Sequence, residues 1–121
     1  MLIKIIKEKI SKEELKELAK EGFGDMFKMV IDIERKVVAA GGELHADAME
    51  KLLEDGSEAK NLWGANFYLF ENPENRIEYV ALINIRPEQN NRQMEIESDE
   101  IRNKIKQIVE NLLLNPDEQI A

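Results

Sequence analysis

The sequence predicts an α+β fold: an antiparallel sheet of about four to five strands with three helices, in the order β-α-β-β-α-β-β-α. Three observations support this. Residues 11–14 read S-K-E-E, a capping box at the head of a helix. Residues 62–70 and 76–87 are dense in aromatic and β-branched side chains and flank ENPEN, a turn-forming run. Ile101, Ile105, Ile108 and Leu112 recur at steps of three and four, a single stripe on one helix face.

Taken in order, LIKII (2–6) reads as a short strand. In the first helix the Ser11 hydroxyl can accept from the Glu14 amide while Glu14 reaches back, and Ile10 and Leu15 sit at the positions of a hydrophobic staple. Leu15, Leu18 and Ala19 form its buried stripe, and Gly22 is its stop. Residues 26–40 fit two patterns. Met26, Val30, Ile33, Val37 and Ala40 fall at helical spacing, yet Met29, Ile31 and Ile33 alternate and Glu34-Arg35-Lys36 breaks the apolar run. Val and Ile pack well on a pleated surface and lose rotamers in a helix. The sequence therefore predicts a hairpin with strands near 27–33 and 37–41, one helix being the alternative.

Asp47 with Glu50 predicts the cap of a second helix, with Met49, Leu52 and Leu53 on its apolar side and Gly56 at its close. A tight ENPEN hairpin would set Phe70 against Ile77 and Trp63 against Asn84. Trp63, Ala65 and Phe67 would then share a face with Asn84, Leu82 and Val80. Leu62, Asn66, Tyr68, Ile83 and Ile85 would occupy the other. Pro87 suits a strand end because it cannot donate to the ladder. EQNNRQMEIE reads as a loop, and the last helix is expected to begin at Ser98 or Asp99 and end at Asn115-Pro116. The organisation predicted is one domain over 1–114 with a frayed tail over 115–121.

Composition narrows the functional classes. With 17 basic against 25 acidic residues the net charge is −8, and the basic residues are interleaved with Glu. Phosphate backbones are held by clustered Lys and Arg, so no nucleic-acid partner is expected. No run approaches the ~20 apolar residues of a membrane span. MLIKIIKEKI lacks the unbroken apolar core of a signal peptide, and the expected location is cytoplasmic. The absence of cysteine excludes disulfides, thiolate nucleophiles and cysteine-held metals. Gly22 and Gly24 follow no strand and complete no G-x-G-x-x-G, and neither a Walker loop nor a G-x-S-x-G elbow occurs. No cofactor is predicted.

Both faces of the long hairpin are apolar, so either helices cover both sides or a second copy covers one. Two-fold dimers are the commonest oligomers, and a homodimer is expected. Within the apolar strands Asn66, Asn84 and Arg86 intrude near Trp63. An unpaired polar group costs ~2–7 kcal/mol to bury, so these groups must meet a partner, solvent or a ligand. The candidate binding site is Glu43, His45, Trp63, Asn66, Asn84 and Arg86. Trp63 would be an aromatic wall, Arg86 an anion anchor and the asparagines directional hydrogen-bonding groups, for a small anionic ligand or a protein partner. The structural alternative has Arg86 stacked on Trp63 and the asparagines tying down loops.

GGELHADAM (41–49) holds the chain's only histidine, flanked by Glu43 and Asp47. If extended, the three would project to one side and could hold a divalent metal or act as an acid–base pair. A strand-to-helix turn with Asp47 as cap accounts for the same residues. The reading is thus a non-enzymatic binding module. Its alternative is a small metal-dependent or acid–base hydrolytic enzyme centred on Glu43, His45 and Asp47.

VIDIERKVVAAGGELHAD, LLEDGS, LWGANFY and INIRP resemble the recurring blocks of a small prokaryotic family catalogued only as a domain of unknown function. The resemblance runs from Ile5 to Leu113. It implies a single domain, assigns no activity and carries over no catalytic residue.

Overall fold

The computed structural model describes residues 2–120. Its main elements are β1 (Ile3–Ile6), α1 (Lys12–Glu21), β2 (Met26–Asp32), β3 (Val37–Gly41), α2 (His45–Glu54), β4 (Leu62–Tyr68), β5 (Ile77–Glu78) and α3 (Asp99–Leu112). The strands form one antiparallel sheet in the order β1-β3-β2-β4-β5. This is the α+β fold and element order that the sequence predicts.

The ambiguous segment is a hairpin. Asp32 Oδ1 accepts from the Glu34 and Arg35 amides, each at 2.9 Å, and the Lys36 amide donates to the Asp32 carbonyl at 2.9 Å. The polar break is therefore a side-chain-stabilised turn. All five residues of β3 are buried, which is why its sequence shows no clean alternation. On one sheet face α2 places Ala48 and Leu52 against Val30, Val37, Ala39 and Leu62. On the other, Leu15 and Leu18 of α1 and Ile105 and Val109 of α3 cover Phe27, Ile31, Trp63 and Phe67. Helices of the same chain thus cover both apolar faces of the central strands.

Local signals hold at two helix starts. Ser11 Oγ accepts from the Glu14 amide at 3.1 Å within a complete capping box, and Ser98 Oγ accepts from the Ile101 amide at 3.2 Å. The second helix departs from expectation. It begins at His45, its cap position is Leu44, and Asp47 lies in the first turn without capping. Gly41 and Gly42, at φ 107° and 89°, turn the chain so that the helix starts three residues earlier than an Asp47 cap requires. Asp47 then interacts favourably with the positive helix end.

The second long hairpin is also corrected. Asn66 pairs with Glu78 and Phe67 with Ile77, so the register differs by three residues from the expected Phe70–Ile77 pair. Leu69, Phe70 and a 3-10 turn at Pro73–Asn75 lengthen the connection. After Glu78 the chain leaves the sheet and continues through 3-10 turns at Leu82–Asn84 and Pro87–Gln89. Trp63 therefore has no cross-strand partner in Asn84. Leu82, placed by the expected register on the Trp63 face, is instead 69% exposed.

Side-chain contacts tie the C-terminal segment to the domain as far as Glu118. Arg76 is buried and donates to the carbonyls of Glu71 (3.1 Å), Asn115 (3.1 Å) and Glu118 (2.5 Å), while Lys9 pairs with the Glu118 carboxylate.

Candidate functional site

Along β4 the backbone groups of alternate residues face β5, as the bond from the Tyr68 amide to the Arg76 carbonyl (2.8 Å) shows. β5 is only two residues long, so Gly64 and Leu62 would lose ladder partners where it ends. Two side chains replace the missing strand. Asn84 Oδ1 accepts from the Gly64 amide at 2.8 Å, and its Nδ2 donates to the carbonyls of Gly64 at 2.9 Å and Met94 at 3.0 Å. Arg86 donates to the carbonyls of Leu62, Ala59 (3.0 Å) and Ile83 (3.1 Å) and to Gln89 Oε1 (3.1 Å). Its guanidinium also lies 4.5 Å from the centre of the Trp63 ring. Burial pulls the Arg86 pKa below its ordinary value, partly opposed by Glu88.

Geometry of this kind fits the structural account of these residues. The donors of Arg86 meet protein acceptors, so it is not positioned as an anion anchor. Trp63, 1% exposed, lies in the core beneath it rather than forming a pocket wall. Asn91, which the sequence reading passed over inside a polar loop, is the third such residue. Its Nδ2 donates to the carbonyls of Asn84 (2.9 Å), Gln93 (2.8 Å) and Glu95 (3.1 Å), and its Oδ1 accepts from the Glu97 amide (2.9 Å). Nothing in EQNNRQMEIE distinguishes it from its neighbour Asn90, since both are turn-forming amides.

Two of the expected residues, His45 and Asn66, do meet at a cavity. This pocket of about 310 Å³ lies between the first turn of α2 and the segment 80–83, with Leu44, Ala81, Leu82 and Met94 among its mostly apolar walls. Gly64 allows the approach of 81–83 to β4: a Cβ there would lie 2.5 Å from the Ala81 Cβ. His45 Nε2 is 2.9 Å from the Ala65 carbonyl oxygen and bridges α2 to β4. Burial lowers the His45 pKa below 6.5 and Lys28 adds to the effect, while the Ala65 carbonyl, Asn66 and Glu78 oppose it. The imidazole is thus neutral at pH 7. Asn66 Nδ2 donates to Glu78 Oε1 at 2.8 Å, whereas its Oδ1 is buried without a partner. Lys28 also lines the pocket, and its ammonium sits 5.5 Å from the centre of the Phe23 ring.

Glu43 and Asp47 are exposed, and Glu43 is outside the pocket lining. The metal-ligand alternative is not assembled: among the described residues no three His, Asp or Glu side chains are grouped so as to hold a metal ion. The physical reason is the early helix start. It turns His45 inward onto Ala65 and leaves the two carboxylates in water.

Among the described residues no helix is long and apolar enough to cross a membrane. No curated protein and no solved structure matches the chain. A family model does match, over residues 4–112. The chain belongs to the family described as protein of unknown function (DUF5674).

Proposed function

We propose that this protein is a non-enzymatic binding module that takes a small, largely apolar molecule into the pocket beside His45 and Asn66. The observation that carries this reading is the pocket itself: about 310 Å³ with mostly apolar walls. Dry apolar cavities of roughly 150 Å³ bind benzene-sized molecules, so the volume accommodates a ring with substituents. Neutral His45 and the end of α2 supply polarity at one side. Arg86 plays no part in this reading, because its guanidinium is engaged by protein oxygens and lies outside the pocket lining.

Amide chemical-shift mapping with toluene and indole tests the reading. Saturable shifts at Leu44, Ala81 and Met94 are expected, and Ala46→Trp should abolish them by filling the pocket from its exposed rim. Absence of saturable shifts, or shifts unaffected by Ala46→Trp, would overturn it.

A second reading has one favourable observation. Leu44, Leu82 and Met94 at the pocket rim are 57%, 69% and 43% exposed, and an apolar surface of this kind suits self-association. We propose that a homodimer would bury this rim. Light scattering at high micromolar concentration should then show a dimer that Leu82→Glu dissociates; a monomer would refute it. The acidic, cysteine-free chain is read as cytoplasmic, which cell fractionation tests.

A further inference from the structure

A second concavity lies on the other side of the sheet, between the tip of the β2–β3 hairpin and α3. It has a volume of about 530 Å³. Its floor is Ile33 and Ile108, and its rim carries Lys36 from the hairpin and Lys104, Gln107 and Asn111 from α3. The spacing 104, 107, 108, 111 is one helical stripe, so these four side chains face the hairpin together. Glu34 also lines the cleft. The lining itself thus carries two ammonium groups against one carboxylate, on a chain whose net charge is −8.

Lys36 is the telling residue. Its φ is 60°, in the left-handed region that a residue with a Cβ occupies at a cost and glycine occupies freely. The turn conformation is set by the Asp32 side chain and by the Lys36 amide, so the lysine side chain contributes nothing to the turn's hydrogen bonding. Among the described residues Lys36 forms no ion pair. Lys104 pairs with Glu100 at 3.5 Å, an exposed contact one helical turn away that water and salt screen. Both cations are thus available to a ligand in the cleft.

We propose that this cleft binds a small organic carboxylate with a short apolar chain. The carboxylate sits between Lys36 and Lys104, the amides of Gln107 and Asn111 donate to it, and the chain lies over Ile33 and Ile108. This site is separate from the pocket at α2 and stands or falls independently of it.

The test is titration of the intact protein with hexanoate, acetate and hexylammonium, followed by amide chemical shifts. Hexanoate should shift Lys36, Lys104 and Asn111 saturably. Acetate, which lacks the apolar chain, should bind about tenfold or more weakly, and hexylammonium should leave these amides unmoved. Lys36→Gly removes one cation while relieving the backbone, so its melting temperature should be equal or higher while its hexanoate affinity falls about fivefold. Raising the salt concentration should weaken hexanoate binding to the wild type. Equal responses to hexanoate and hexylammonium, unchanged affinity in Lys36→Gly, or no saturable shift would each overturn the proposal.

Discussion

The side chain of Asn84 bonds to both backbone groups of Gly64, accepting from its amide at 2.8 Å and donating to its carbonyl at 2.9 Å. A carboxamide carries one acceptor and one donor side by side, as a strand backbone does, and Asn84 uses both to continue the sheet where β5 stops. Asn84→Ala would leave the Gly64 amide and carbonyl and the Met94 carbonyl without this partner. A loss of about 3 kcal/mol is expected in urea unfolding. Asn84→Asp should also destabilise, because it removes the donor and turns a negative oxygen toward two carbonyls.

Gly64 is required by packing. A Cβ there would meet Ala81 Cβ at 2.5 Å and Ile83 Cγ1 at 3.1 Å, and neither neighbour is the far end of a long flexible chain. Gly64→Ala should cost about 1–3 kcal/mol and push the 81–83 segment away from β4. Amide shifts around Ala81 and Met94 would report the displacement. An unchanged melting temperature would show that the segment yields freely.

His45 links stability to pH. Its folded pKa is lowered, chiefly by burial, so the unfolded chain takes up the proton more readily. The contribution is present above the unfolded value of 6.5 and is lost as pH falls through the window below it. Lys28 reinforces this direction while Glu78 and Asn66 moderate it. Denaturation between pH 7.5 and about 5 should show wild-type stability falling relative to His45→Gln, whose amide can still reach the Ala65 carbonyl. Parallel curves would remove His45 as the source.

Arg76 fastens the end of the chain. Arg76→Met keeps the apolar stem and deletes the donors to Glu71, Asn115 and Glu118. A loss of about 2–3 kcal/mol is expected, accompanied by faster proteolysis after Leu114. Burial lowers the Arg76 pKa, with Glu118 and Glu110 opposing. It stays charged across the usable pH range, so the latch should not open on mild acidification.

What the sequence determined by itself was whatever depends on near neighbours. Ser11 with Glu14 and Ser98 with Ile101 are caps closed within one helical turn. Asp32 makes its turn with residues two and three positions ahead. The apolar faces of the segments 62–70 and 76–87 also implied that both sides are covered, by helices or by a second copy. Tertiary structure alone decided what covers them, where residues 79–97 run, and which polar groups are already satisfied. Asn84 and Arg86 find acceptors and donors 20 or more positions away, at Gly64, Leu62 and Ala59. A polar residue in an apolar strand reads the same in sequence whether it faces a ligand or completes a sheet edge, because desolvation demands a partner without specifying which. The backbone of β4 supplied that partner, and His45 with Asn66 was left beside the cavity.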